Sequence, residues 1–264
     1  MKFARINGVV LHYADSGPGT APALVFSNSL GTDFRIWDGL LERIGAPFRV
    51  VRYDKRGHGL SEAPDAPYKM EEHVGDLAGL LDHLGVQSAI VCGLSVGGII
   101  AQGLSAARPE LVRALILCDT AHKIGPPEMW DDRIAQARAG GIEALAETIL
   151  QRWFSEDLRG NRPDELMGWR NMLVRTPLAG YIGTSAAIRD SDMTEAAQAV
   201  QVPTLCVVGK EDGSTPPDLV RTLAGLIAGA QFEIIEGAGH LPCIERPDEL
   251  AALINDFFQE TGLV

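Results

Sequence analysis

Short runs of apolar residues recur along the chain, and turn-forming residues separate them. Such runs are typical of strands that are buried on both faces of a sheet. The pair Asn7-Gly8 lies between two short apolar-rich segments and favours a two-residue hairpin turn. We therefore predict a hairpin of residues 3–6 and 9–13, followed by core strands at residues 23–26, 48–53, 89–92, 114–118, 203–208 and 232–236.

Apolar residues at helical spacing occupy several of the intervals between these strands. They predict helices at residues 70–84, 96–108, 217–227 and 247–259. Strands that alternate with helices form a mostly parallel sheet with helices on both faces. Right-handed crossovers then place the carboxyl ends of the strands on one side, where ligands bind. We expect an α/β fold with its functional site at that edge.

The alternation stops between residues 122 and 198, where no β-rich run occurs. The spacing of apolar residues in this stretch predicts helices at 128–139, 142–154, 164–174 and 179–189. The stretch also contains eight arginines and three of the four tryptophans of the chain. We interpret residues 122–198 as a helical cap insertion in a core domain that residues 1–121 and 199–264 form.

Composition narrows the class of protein. A length of 264 residues with 46% hydrophobic content suits one large core that carries an insertion. The formal net charge of −12 argues against nucleic acid or an anionic membrane surface as a partner. No apolar run reaches the length of a spanning helix or of a signal peptide, so we expect a cytoplasmic protein. Cys92, Cys118 and Cys206 lie in predicted strands, where we expect buried, reduced thiols, and no cysteine or histidine cluster suggests a metal.

The candidate chemistry centres on Gly93-Leu94-Ser95-Val96-Gly97, where a predicted strand meets a predicted helix. A serine at such a sharp turn exposes its hydroxyl above the sheet, and glycines on both sides avoid collisions between strand and helix. The free N–H groups at the helix start can stabilise an anion. An ordinary glycine-rich turn is the alternative for the pentapeptide alone, so its interpretation as a nucleophile gains from partner residues.

A serine nucleophile needs a base within hydrogen-bond reach, and the base needs an acid that orients it. His240 follows the last predicted strand, and Asp212 follows the strand before it. Asp119 also ends a core strand and is the alternative acid. We favour Asp212 because its strand is expected to lie next to the strand that leads to His240.

An oxyanion hole requires two backbone N–H groups that point at the developing charge. Val96 follows the candidate nucleophile, and Leu30 lies in the turn after the strand at residues 23–26. Two such donors can each lower the barrier by roughly 3 kcal/mol. A site of this kind requires no cofactor and no metal.

Several segments carry a resemblance to known proteins: Asn28-Ser29-Leu30-Gly31-Thr32 with Trp37, residues 49–61, Gly93 to Gly98, Arg152-Trp153-Phe154, and Gly237 to Pro242. Together with the order Ser95, Asp212, His240, they resemble the α/β-hydrolase fold superfamily over essentially the whole chain. Within it, the chain is similar to the β-ketoadipate enol-lactone hydrolases (3-oxoadipate enol-lactonases). The resemblance implies an eight-stranded α/β-hydrolase fold with a helical cap. It also implies hydrolysis of the enol-lactone of 3-oxoadipate in bacterial aromatic-acid breakdown.

The implied substrate is a small anionic lactone, and an acidic protein must supply local positive charge to bind its free carboxylate. Arg133 lies one helical turn from Trp130, and Trp153 adjoins Arg152. We expect Arg133 to bind the carboxylate, with Trp130 beside it and Trp153 as an apolar wall. A solvated helix face is the alternative for each arginine.

Other functions would retain the same three residues. They are another carboxylic-ester or C–C bond hydrolase, a cofactor-free haloperoxidase-like enzyme, and a ligand receptor on a hydrolase fold. A turnover assay separates the enzymes from the receptor. The sequence does not indicate an oligomeric state.

Overall fold

An eight-stranded sheet forms the centre of the computed structural model, which describes residues 1–45 and 47–263. The strands are β1 (Lys2–Ile6), β2 (Val9–Ser16), β3 (Ala23–Ser27), β4 (Arg49–Tyr53), β5 (Ala89–Leu94), β6 (Val112–Cys118), β7 (Thr204–Gly209) and β8 (Gln231–Ile235). Their spatial order is β1-β2-β4-β3-β5-β6-β7-β8. Strand β2 pairs antiparallel with β1 and β4, and the remaining neighbours pair parallel. The predicted hairpin and mostly parallel sheet are therefore confirmed.

Helices surround this sheet. They are α1 (Asp38–Leu41), α2 (Met70–His83), α3 (Val96–Ala107), α4 (Pro127–Gly140), α5 (Ala146–Trp153), α6 (Glu156–Asn161), α7 (Pro163–Val174), α8 (Leu178–Arg189), α9 (Thr194–Gln198), α10 (Pro217–Leu226), α11 (Pro242–Glu245) and α12 (Pro247–Glu260). Every residue of β3, β5 and β7 is buried, as expected for strands that are covered on both faces. The α/β class predicted from the alternation of elements is thus confirmed.

The segment between β6 and β7 contains no strand; it consists of α4 to α9 and a 3₁₀ turn, joined by loops. Its predicted helices are present, although the one at residues 142–154 divides into a short 3₁₀ turn, Ile142–Leu145, and helix α5. The short helices α6 and α9 had no prediction. Each spans fewer than two turns, which is too little for apolar periodicity to reveal, and the Ser155 side chain caps the first of them.

This helical segment rests directly on the loops that leave the sheet. The amide of Gly213, after β7, donates to the carbonyl of Arg152, and the amide of His240, after β8, donates to the carbonyl of Trp153. On the other side, Gly180 of α8 touches Gly57, and a Cβ at residue 180 would lie 1.9 Å from the Gly57 carbonyl oxygen. The segment therefore covers the carboxyl ends of the parallel strands.

The expectations for the cysteines and for membrane-spanning segments can be compared with the described residues. All four cysteines are free and buried. No helix in residues 1–45 or 47–263 combines the length and the apolarity that a transmembrane span requires.

Candidate active site

Ser95 stands at the junction of β5 and α3 in a conformation that most residues avoid. Its φ is +57° and its ψ is −119°, so the chain reverses sharply at this residue. The turn needs glycine on both sides: a Cβ at Gly93 would lie 2.3 Å from the Gly97 carbonyl oxygen, and one at Gly97 would lie 1.9 Å from that of Ser27. The sequence Gly-x-Ser-x-Gly therefore builds a strained turn that presents one hydroxyl.

His240 and Asp212 form a buried pair beside this turn. His240 Nδ1 lies 2.9 Å from Asp212 Oδ2. A carboxylate only accepts hydrogen bonds, so Nδ1 carries the shared proton and Nε2 remains available as a base. Both His240 and Ser95 line one cavity, and no hydrogen bond joins the Ser95 hydroxyl to the ring within the described chain.

The acid is held by a ring of donors in the Asp-Gly-Ser-Thr turn after β7. Asp212 Oδ1 accepts from the amides of Ser214 and Thr215 at 2.7 and 3.1 Å, and Oδ2 accepts from the Thr215 hydroxyl at 2.6 Å. Burial opposes ionisation, but the His240 charge and these hydrogen bonds outweigh it and lower the pKa of Asp212. Sequence reasoning missed Thr215, although a threonine three residues after an aspartate in a turn is a typical partner of its side chain.

The alternative acid, Asp119, lies within the same cluster but has no hydrogen bond to His240 among the described residues. Its Oδ1 accepts from the Gly209 amide at 2.9 Å, and its Oδ2 has no partner among the described residues. Burial first, and the charge of Asp212 second, raise the pKa of Asp119 well above its usual range. A protonated Asp119 supplies no negative charge to the imidazole, so this geometry favours Asp212 as the orienting acid.

Facing atoms of Asp119, Asp212 and His240 lie within 4.8 Å of one another, a spacing compatible with a metal ion. Atoms of all three residues already take part in hydrogen bonds. His240 Nδ1 is bonded to Asp212, and one oxygen of Asp119 accepts from the Gly209 amide. The arrangement is therefore explained as a hydrogen-bonded cluster that orients an imidazole.

The N–H groups of Leu30 and Val96, the predicted oxyanion donors, lie at the ends of β3 and β5. Val96 is the first residue of α3, where helical N–H groups have no partner within the helix. Within residues 1–45 and 47–263, neither N–H group has a hydrogen-bond acceptor. Leu30 lines the same cavity as Ser95, so two free donors lie at the ends of two neighbouring parallel strands, β3 and β5.

The cavity above Ser95 is walled by the helical segment. Its lining includes Ser29, Leu30, Ser95, His240, Ile124, Met129, Trp130, Arg133, Arg152, Trp153, Ile188, Ser214 and Thr215. The predicted cap residues Trp130, Arg133 and Trp153 therefore lie in one cavity with Ser95 and His240. A larger cavity of about 530 Å³ lies between α2 and α3, and none of the described residues that line it is a predicted site residue.

Arg133 is held in place by aromatic rings. Its Nε donates to the Tyr181 hydroxyl at 2.7 Å, and its guanidinium lies 5.2 Å from the Trp130 ring and 5.6 Å from the Tyr181 ring. Arg152 lines the same cavity from α5. Among the residues that the structure describes, no carboxylate lies within 4 Å of either guanidinium. The cavity thus presents two arginines whose charges are available to an anion.

An α/β hydrolase is defined by the features described above: the order of the strands in the sheet, the strained turn at the serine, and the cluster of serine, histidine and aspartate. Residues 18–253 match the Alpha/beta hydrolase family, and the chain belongs to that family and is a hydrolase. It is 33% identical to 3-oxoadipate enol-lactonase 2 of Acinetobacter baylyi over 239 residues, which cover 90% of this chain and 89% of the relative.

Two solved structures are also similar. The enol-lactonase from Burkholderia xenovorans LB400 superposes with a TM-score of 0.94 and 40% identity, covering 98% of this chain and 100% of that one. A malate-bound thermophilic esterase from Thermogutta terrifontis superposes with a TM-score of 0.92 and 29% identity, covering 99% of each chain. The resemblance inferred from the sequence segments is confirmed at the level of the family.

Proposed function

We propose that this hydrolase opens the enol-lactone of 3-oxoadipate with water, giving 3-oxoadipate in bacterial breakdown of aromatic acids. The observation that carries the proposal is the cavity itself: Ser95 and His240 line it together with Arg133, Arg152 and several apolar and aromatic side chains. The serine and the histidine suit hydrolysis of an ester, and the arginines suit a free carboxylate on the same small molecule. Similarity to proteins named as enol-lactonases supports the choice among such esters.

The reaction proceeds through an acyl-enzyme. His240 Nε2 takes the proton of Ser95 Oγ as this oxygen attacks the lactone carbonyl carbon. The ring C–O bond then breaks, and the departing enol oxygen receives the proton from His240 before the enol tautomerises to the ketone. Water attacks the acyl carbon as His240 takes its proton. The bond between this carbon and Ser95 Oγ then breaks, His240 returns the proton to Ser95 Oγ, and the product leaves with a second carboxylate.

Each supporting group acts on a charge that appears in this sequence. Asp212 holds the His240 tautomer and stabilises the imidazolium. The N–H groups of Leu30 and Val96 bind the tetrahedral oxyanion. Arg133 binds the side-chain carboxylate of the substrate.

The tryptophans supply the apolar part of the pocket. Trp130 and Trp153 are 4% and 3% exposed, so both are largely buried. They exclude water from the cavity and present flat surfaces to the substrate ring. The Trp130 indole N–H donates to the Ile124 carbonyl at 2.6 Å, which fixes the orientation of this wall.

The decisive experiment follows the ultraviolet absorbance of the enol-lactone with purified protein and compares the rate with that for p-nitrophenyl acetate. A lactone kcat/KM that exceeds the acetate value supports the proposal. A preference for the acetate indicates a general esterase instead, the alternative that the similarity to the Thermogutta esterase favours. Ser95→Ala is the blank. If the wild-type protein turns over neither substrate, the result indicates a binding protein.

Arg133→Met tests the carboxylate contact. Loss of a charged hydrogen bond should raise KM for the enol-lactone by about tenfold to a hundredfold, while hydrolysis of a neutral lactone of similar size changes little. Arg138→Met is the matched control because Arg138 lies on the same helix and is exposed. Arg133→Met and Arg152→Met could both keep the wild-type ratio of the KM for the enol-lactone to the KM for the neutral lactone. In that case neither arginine binds the substrate carboxylate.

A further inference from the structure

Lys55 is a fully buried lysine behind the loop that carries the proposed oxyanion donor. It follows β4 and is 1% exposed. Its ammonium donates to the carbonyl oxygen of Ser29 at 2.6 Å and to that of Asn28 at 3.2 Å. Within the described chain no carboxylate lies within 4 Å of the ammonium. Burial of an ammonium costs free energy, and here it is offset only by hydrogen bonds to two loop carbonyls, without an ion pair. Such an arrangement suggests a role other than stabilising the fold.

The Ser29–Leu30 peptide links this lysine to the catalytic cavity. A trans peptide is planar, so its carbonyl and its N–H point in opposite directions. The only cis peptide bond among the described residues is Ala66–Pro67. Lys55 holds the carbonyl of this peptide, and the N–H at its other end belongs to Leu30 and has no acceptor within the described residues. Fixing the carbonyl therefore fixes the direction of the Leu30 N–H.

We propose that Lys55 is a positioning residue of the oxyanion hole, acting through the Ser29–Leu30 peptide. The cation orients the peptide plane and also polarises it, because a charge on the carbonyl oxygen makes the N–H a stronger donor. Lys55 does not touch the substrate. The inference rests on the proposed function, since it assumes that Leu30 and Val96 bind an oxyanion.

Other contacts hold the same loop but bring no charge to this peptide. His58 Nε2 accepts from the Gly31 amide at 3.0 Å, and the Thr32 hydroxyl donates to the Ser29 carbonyl at 2.9 Å. Burial first, and the charge of Lys55 second, lower the pKa of His58 well below its usual range, so its ring is neutral. Lys55 is therefore the charged group that acts on this carbonyl.

The ionisable groups around Lys55 set the pH range of this effect. Burial lowers the pKa of Lys55 to about 7, while Asp54 and Asp33 favour the charged form. His58 and His73 also face the ammonium, and both are kept neutral chiefly by burial. Below this pKa the charged form orients and polarises the peptide, and the charge-assisted part of the contact is lost as the pH rises above it.

The test uses p-nitrophenyl acetate, because an oxyanion forms with any acyl substrate and the result does not depend on the natural one. Lys55→Met keeps the side-chain length and removes the charge. We expect kcat to fall by about tenfold to a hundredfold, below the 10²–10³ that loss of a whole oxyanion donor causes, with KM little changed. Affinity for an alkylboronic acid, which forms a tetrahedral anion on serine, should fall by a similar factor.

Tyr53→Phe is the matched control. Tyr53 is equally buried on β4, and its hydroxyl lies 3.1 Å from the Ser27 hydroxyl, outside the Ser29–Leu30 peptide. The control variant should keep the wild-type kcat and boronate affinity. Thermal unfolding verifies that each variant is folded. If Lys55→Met does not fold, Thr32→Val removes the other side-chain donor to the same carbonyl and should lower kcat by about threefold to tenfold.

The pH profile separates positioning from a structural role. The wild-type kcat should decline between pH 7 and pH 9 as Lys55 loses its proton, and the lower kcat of Lys55→Met should lack this decline. If Lys55→Met keeps the wild-type kcat and boronate affinity, the inference is overturned. The same result for Thr32→Val overturns it where Lys55→Met does not fold. In either case an inactive Ser95→Ala leaves the proposed function intact. Turnover by Ser95→Ala overturns both.

Discussion

At the residue scale, two aspartates that both follow core strands have pKa values shifted in opposite directions, that of Asp119 upwards and that of Asp212 downwards. Asp212 accepts hydrogen bonds from His240 and from the turn that follows β7, whereas Asp119 has one amide donor and a second oxygen without a partner in the described chain. Position at a strand end therefore does not define the acid. The number and charge of the donors around each carboxylate define it.

The two aspartates should consequently respond differently to loss of charge. Asp212→Asn should lower kcat by on the order of 10⁴, the magnitude known for the equivalent change in the serine-protease triad, because the amide favours the wrong imidazole tautomer. Asp119→Asn removes no ionic partner of His240 and should change kcat by less than about tenfold. Steady-state kinetics on both variants checks this, and a reversed order would transfer the orienting role to Asp119.

Asp119→Asn should also stabilise the protein as the pH rises. The folded-state pKa of Asp119 is raised, so the folded chain retains a proton that the unfolded chain releases above about 3.8. The stability that the protonated acid provides is complete below that value and is lost as the pH rises towards the folded-state pKa. Asparagine does not titrate, and it tolerates the φ of +46° at this position.

Thermal unfolding at several pH values measures this effect. At pH 8 the Tm of Asp119→Asn should exceed that of the wild type by about 2–4 °C, the shift that about 1 kcal/mol produces in a chain of this size. The difference should shrink at pH 5. A difference that is equal at both pH values would mean that the carboxyl does not titrate as described.

At the element scale, a buried carboxylate joins the loop of His240, the proposed base, to the helical segment between β6 and β7, the predicted insertion. Glu245 Oε1 accepts from the Gly239 amide at 2.7 Å, and its Oε2 accepts from the amide and the hydroxyl of Ser155 at 3.0 and 2.5 Å. The neighbouring amide of His240 donates to the Trp153 carbonyl at 2.7 Å. Base and insertion therefore form one hydrogen-bonded unit on this side of the cavity.

Glu245→Gln should loosen this unit. The amide offers one acceptor oxygen in place of two, so the bond to Gly239 or the pair to Ser155 is lost. We expect kcat/KM to fall by about threefold to tenfold and the Tm to fall by a few degrees. Glu211→Gln is the control, because Glu211 is exposed and accepts from the Glu156 amide of the same segment at 3.2 Å. Equal effects of the two variants would show that burial of Glu245 is irrelevant.

At the scale of the whole molecule, insertion and core share buried contacts on both sides of the cavity. Glu245 joins them beside His240, and Gly57 and Gly180 touch on the opposite side. These contacts are lost only when both parts separate. The insertion should therefore unfold together with the core in one cooperative step.

Two optical probes can test this cooperativity. Three of the four tryptophans lie in the insertion, so fluorescence reports mainly on the insertion, while far-ultraviolet circular dichroism reports on the whole chain. The two thermal midpoints should agree within about 1 °C, the coincidence that a two-state transition requires. A fluorescence midpoint several degrees lower would show that the insertion opens by itself.

The sequence by itself determined the features that depend on neighbouring residues. Apolar runs identified the sheet because a strand buried on both faces requires them. The glycines around Ser95 identified the turn because any side chain there would collide with the backbone. The positions of Ser95, Asp212 and His240 after successive parallel strands also predicted that these three residues lie at one edge of the sheet.

Only the tertiary structure decided the contacts between residues far apart in the chain. A lone lysine in a turn gives no local signal that its ammonium reaches the Ser29 carbonyl, 26 positions away. The partner of Arg133, the Tyr181 hydroxyl, belongs to another helix. The amide that Asp119 accepts from, that of Gly209, lies 90 positions away, and the His240 ring lies 28 positions from Asp212. Hydrogen bonds require a defined distance and direction, and these are set when elements pack together rather than by the sequence around either partner.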